Sequence, residues 1–151
     1  MNTLPLLPYK FRYVGIFSLF IAITGAYLYF FGGKPAFFTI PVFAAVTSYI
    51  ETRTMVIAQT NVLDETALIF FIISLIFLGF SKEKNETARL QFLRFKSIIL
   101  SVYITSGIWI LLAILIYGWA IFIVSSGVFI LFLLLNLLIY NILKFNYFKN
   151  Y

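Results

Sequence analysis

The chain has 151 residues, 63% of them hydrophobic and 11% charged, with a formal net charge of +6. Ordinary soluble domains carry roughly 25% charged residues, and so small a globule leaves too much surface in water to hide this apolar excess. The sequence therefore reads as one integral membrane domain over residues 1–151. Cys and His are both absent, which removes disulfides, Cys–His and Ser–His chemistry, and the usual ligands of zinc, copper, haem and iron–sulfur clusters. No catalytic residue, metal or cofactor is expected, and the chain is expected not to be an enzyme.

A bilayer helix needs about 20 residues, and the first apolar run, Tyr13 to Phe31, supplies them. It exceeds the hydrophobic part of a cleavable signal peptide, and Gly32-Gly33-Lys34-Pro35 offers no small-x-small cleavage site. An anchoring span over about residues 12–31 is expected. Ser18, Ala22 and Ala26 recur at four-residue spacing on one face of it, a pattern that lets helix backbones approach closely and marks these three as intramembrane packing residues.

The next run, Ala36 to Ile50, is short and carries Pro41 at its middle. Charge decides whether it crosses the membrane, because Lys and Arg in short loops accumulate on the cytoplasmic side. Five spans would place Lys82, Lys84, Arg89, Arg94 and Lys96 outside, together with Lys144 and Lys149. Four spans put those seven inside with Lys10 and Arg12, leaving only Lys34 and Arg53 of the eleven Lys and Arg outside. The expectation is a four-transmembrane-helix bundle, an all-α membrane protein with both termini cytoplasmic. Residues 32–63 then form an extracytoplasmic insert. Thr39, Ile40, Val42, Val46 and Thr47, then a polar break at Ser48 to Glu51, then Thr52, Thr54, Val56 and Ile57 predict a small β-hairpin, with an interfacial or re-entrant helix as the alternative.

The second span is expected over about 64–81. Asp64 and Glu65 at its start, after Asn61, suit a helix N-terminus and are also the candidate extracytoplasmic contact. The stretch Ser81 to Lys96 reads as a cytoplasmic amphipathic helix over 82–96, with Ala88, Phe92 and Phe95 along one stripe. Its Lys82, Lys84, Arg89, Arg94 and Lys96 are candidate contacts to headgroups or a partner.

The last two spans are expected over about 97–117 and 121–143, joined by an outer turn at Gly118. No Asp, Glu, Lys or Arg falls within those limits, which argues against a proton-coupled transporter. Asn136 is an amide in hydrocarbon that needs a partner, and so a further packing residue. Tyr103 and Trp109 are expected to face the bundle.

The run Asn61 to Glu65, then Leu78-Gly79-Phe80-Ser81-Lys82-Glu83-Lys84-Asn85-Glu86, Leu90-Gln91 and Ser97, with Tyr103, Tyr117-Gly118 and Lys144-Phe145-Asn146-Tyr147 beyond, resembles a family of small four-span inner-membrane proteins of Bacteroidota. The resemblance covers roughly Val42 to the C-terminus. It implies a four-span bundle in a bacterial inner membrane and transfers no catalytic residue; Thr87 and Ala88 stand where that family carries acids.

Binding is the function class that remains. The expected protein is a sensory, regulatory or accessory subunit whose insert meets a ligand or partner and whose inner loop reports it. The alternatives are a small oligomeric transporter or channel lined by Asn136 and Ser/Thr hydroxyls, and an immunity-type protein against a membrane-active toxin. Expected partners are the lipid bilayer and a homo-oligomer or a membrane or cytoplasmic protein, not nucleic acid.

Overall fold

The structure is a computed structural model that describes residues 4–47, 53–117 and 120–149. In chain order it contains α1 (Phe11–Phe30), a 3-10 turn (Ala36–Phe38), β1 (Thr39–Thr47), β2 (Arg53–Asn61), α2 (Leu63–Phe80), α3 (Ala88–Leu115) and α4 (Ala120–Lys149). The polar break expected at Ser48 to Glu51 and the turn expected at Gly118 lie outside the described residues. Among the described residues four helices are long and apolar enough to cross a membrane. Between the first two of them the insert folds as a two-stranded sheet rather than as the alternative helix.

The chain divides into two compact units, Ser18–Phe71 and Met1–Phe17 with Ile72–Tyr151. In the first, β1 and β2 pair antiparallel from Thr39↔Asn61 to Thr47↔Arg53. The strands form because their β-branched residues suit a pleated surface better than a helix. Asn61 ends the sheet and starts α2: its Oδ1 accepts from Leu63 N at 3.2 Å and its Nδ2 donates to Pro35 O at 3.2 Å. In this unit α1 and α2 approach so closely that a Cβ on Gly25 would stand 3.3 Å from the Cβ of Ala67. Ser18 and Ala22 are buried there, with Ala26 half-buried beside them.

In the other unit a Cβ on Gly15 would come within 3.0 Å of Phe77 Cβ, so glycine is what lets the start of α1 lie on the end of α2. Side-chain contacts among the described residues tie α3 to α4, beside an apolar cluster of Leu90, Leu93 and Tyr140. They pair Arg89 with Tyr147, Arg94 with Tyr140, Ser97 with Asn136 and Trp109 with Ser125. Each step forward on α3 is matched by a step back on α4, so the two helices run antiparallel. At 28 and 30 residues they are about 42 and 45 Å long, well over the roughly 30 Å hydrocarbon core. Their surplus turns hold the charges.

Burial is the reverse of a soluble protein's. Among the described residues the eight buried polar or charged side chains equal the eight buried apolar ones, while large aliphatic and aromatic side chains line the outside. On α3 the buried stripe is Leu90, Leu93, Arg94, Ser97, Ser101 and Thr105, mostly polar and at helical spacing. Lipid can solvate an exposed Leu or Phe but not a hydroxyl, so the polar groups turn inward. Tyr103 departs from its expected place: it is 71% exposed and faces away from the protein. Trp109 is also largely exposed, with Nε1 donating to Ser125 Oγ at 3.1 Å.

Candidate functional site

The segment expected as one amphipathic helix is two different structures. Residues 81–87 form a turn, and α3 starts at Ala88 and runs unbroken into the third span. The break falls where Thr87 takes extended dihedrals and its Oγ1 accepts from Leu90 N at 3.3 Å, an N-cap. Within the turn the acids face inward. Glu86 Oε2 accepts from Glu83 N at 2.7 Å, and Glu86 Oε1 accepts from Arg94 Nε at 3.3 Å.

Arg94, one helical turn ahead of Ser97, is therefore part of a spanning helix and 2% exposed. This corrects its expected role as an exposed contact. Its Nη1 donates to Gly79 O at 2.6 Å and its Nη2 to Ser81 O at 2.8 Å. Phe80 O, between them, accepts from Leu7 N at 3.0 Å, and Leu7 O accepts from Lys82 N at 2.9 Å. The last carbonyls of α2, the negative end of its dipole, are thus held by a guanidinium and by the N-terminal segment. The Arg94 guanidinium also lies over the Tyr140 ring, 4.1 Å from its centroid.

Glu83 is the second centre. Its Oε1 pairs with Arg12 Nη1 at 2.7 Å, accepts from Lys144 Nζ at 2.8 Å and from Tyr140 Oη at 3.4 Å, and stands 3.9 Å from Arg94 Nη2. Burial by itself would raise the carboxyl pKa; the Lys144 ammonium and the Arg12 guanidinium outweigh it and hold the group below the usual glutamate value. One carboxylate thereby gathers cations from α1, α3 and α4 around the end of α2.

Behind this knot lies a cavity of about 170 Å³, lined by Leu4, Pro5, Leu6, Gly79, Arg94, Ser97 and Asn136 among others. That volume holds roughly five or six waters. Asn136, deep in α4, has found its partner: Ser97 Oγ lies 2.9 Å from its Oδ1 and 2.7 Å from Arg94 O. Ser101 and Thr105 continue the line, each donating to the carbonyl four residues back. Ser74 Oγ and Ser81 Oγ are buried without a hydrogen-bond partner.

Comparison of the chain with protein-family models, with curated proteins and with solved structures found no match. The site must therefore be read from its own chemistry.

The remaining expected contacts separate. Lys82, Lys84, Arg89 and Lys96 are exposed around the knot. Asp64 and Glu65 occupy the first turn of α2 in the other unit, Asp64 half-buried with Oδ1 lacking a hydrogen-bond partner and Glu65 exposed. The sequence pointed to Arg12 only as a topology charge, and Glu83 and Tyr140 were not among the candidate site residues. The available signal was a pair of acids, Glu83 and Glu86, between a span and a basic helix start, with Arg94 in phase with Ser97 and Ser101.

Proposed function

We propose that this is a four-span bundle of a bacterial inner membrane with both termini cytoplasmic. It acts without catalysis, as an accessory or regulatory subunit that binds a partner at the end formed by the α2–α3 turn. The observation that carries this reading is the sorting of charge. Glu83 and Glu86 are drawn inward, while Lys10, Lys82, Lys84, Arg89, Lys96 and Lys149 are all exposed. That end offers its surroundings a surface of one sign, which steers and selects an anionic counterpart. The orientation is supported by the same residues, since four spans put nine of the eleven Lys and Arg on one side.

The absence of Cys makes the test clean. Lys84→Cys carrying a thiol-linked photocrosslinker is expected to be labelled in inverted but not right-side-out vesicles, and to give an adduct of discrete mass. K82E, R89E and K96E together should remove the adduct. Labelling from the outer side, or an adduct indifferent to charge reversal, would rule the reading out.

A transporter reading has one observation in its favour. The hydroxyls of Ser97, Ser101 and Thr105 follow one stripe of α3, Ser97 lining the 170 Å³ cavity and Thr105 lining an open depression of about 400 Å³ with Ser106, Trp109, Ile110 and Val128. A polar path along that stripe, with Arg94 at one end, would give liposomes a flux of small uncharged solutes above that of empty vesicles; equal rates would dismiss it.

A further inference from the structure

We propose that the counterpart of the cationic rim is the anionic phospholipid of the bilayer itself, bound by headgroup and acyl chain together. The argument starts from what stands next to each cation. On α3, Arg89 and Lys96 flank Phe92 and Phe95, which are 54% and 50% exposed. On α1, Lys10 precedes the exposed Phe11 and Tyr13, and on α4 Lys149 follows the exposed Phe148. Three helix ends thus repeat one arrangement, a positive group beside an apolar ring.

Partner chemistry follows from that pairing. An acidic soluble protein could neutralise the cations, but it would have to seat the phenylalanines in pockets on three separate helix ends or leave them in water. A phospholipid satisfies both at once, bringing a phosphate to the cation and hydrocarbon to the ring. Lysine and arginine stems favour the same geometry, lying along apolar surface with the charge at headgroup level. A zwitterionic headgroup carries its own ammonium and gains less. No acid competes on the rim, because Glu83 and Glu86 are engaged inside by Arg12, Lys144 and Arg94.

The proposal rests on reading this end as the binding surface, but its test is independent of the crosslinking above. The full chain in mild detergent is titrated with phosphatidylglycerol or phosphatidylcholine of identical acyl chains, and retained lipid is counted by native mass spectrometry. At low salt the anionic lipid is expected to be retained at least about fivefold over the zwitterionic one. K10Q, R89Q, K96Q and K149Q combined should bring that ratio close to one, while K34Q, in the other unit, leaves it unchanged. F92S with F95S should weaken retention of both lipids, and millimolar inorganic phosphate should displace neither. The unfolding midpoint is measured alongside, and R89K, which keeps a cation over Tyr147, serves as the control for the α3–α4 contact. A wild-type ratio near one, or a ratio that survives the four glutamines, overturns the proposal. A rim whose charge reversal abolishes a protein adduct while lipid preference is unaltered is a protein-docking surface instead. Lipid selectivity without any adduct retires the protein partner and keeps the lipid.

Discussion

Arg94→Met is expected to destabilise the protein by about 3–5 kcal/mol, the usual cost of removing one partner from a buried charge network. The size follows from what the side chain holds: the carbonyls of Gly79 and Ser81, the carboxylate of Glu86 and the face of Tyr140. Methionine fills similar space but leaves two buried carbonyls without this donor and Glu86 without its charge partner, held only by the Glu83 amide. Arg94→Lys keeps the charge yet presents a single ammonium to partners that a planar fork reaches from three nitrogens, so an intermediate loss of about 1–3 kcal/mol is expected. Adding Glu86→Gln to Arg94→Met should recover part of the loss, because the stranded acid is then neutral. Unfolding midpoints of the full chain in one detergent measure all three. A loss below about 1 kcal/mol for Arg94→Met would show that the network is not what holds these helix ends.

The second large effect concerns Glu83 and carries a pH signature. Glu83→Gln leaves Arg12 and Lys144 facing one another with no carboxylate between them. Both cations are about a quarter exposed, so solvent screens part of the penalty and roughly 2 kcal/mol is expected at neutral pH. The folded-state pKa of Glu83 lies below its ordinary value. Its contribution is therefore fully present above the ordinary glutamate pKa of about 4.3 and is lost as pH falls through the lower, folded value. Wild type should lose stability on acidification below about pH 4.3, while Glu83→Gln, having no proton to take up there, should lose less. The two unfolding curves should converge in acid; a gap that stays constant with pH would mean that another group carries the acid sensitivity.

Much of the architecture was legible because two strong signals agreed. Apolar runs of spanning length marked the helices, and the placement of Lys and Arg set aside Ala36 to Ile50, where Pro41 disfavours a helix and the β-branched residues around it suit a strand. The site was less legible for a physical reason. Hydropathy scores Arg94 as a loop residue, since a lone arginine belongs at the membrane surface. Only its pairing with two backbone carbonyls and an acid eight residues back in sequence makes burial tolerable. Amphipathic periodicity was misleading on α3 as well. Phe92 and Phe95 looked like the packing stripe of a short helix, whereas they point outward and the polar stripe through Ser97, Ser101 and Thr105 is buried. Thr87 was the one local marker of the true helix start, and it was hidden in a sequon-like Asn85-Glu86-Thr87.

The knot also constrains how the chain is made. Leu7, Arg12, Glu83, Glu86 and Arg94 all precede α4 in the chain, but Tyr140 and Lys144 are supplied by α4, which is synthesised after them. Until then Glu83 has Arg12 without Lys144, and the outer face of the Arg94 guanidinium has no ring to cover it. A chain arrested before α4 would thus present an incomplete charge cluster at the membrane surface, the kind of feature by which quality control distinguishes an unfinished membrane protein from a finished one.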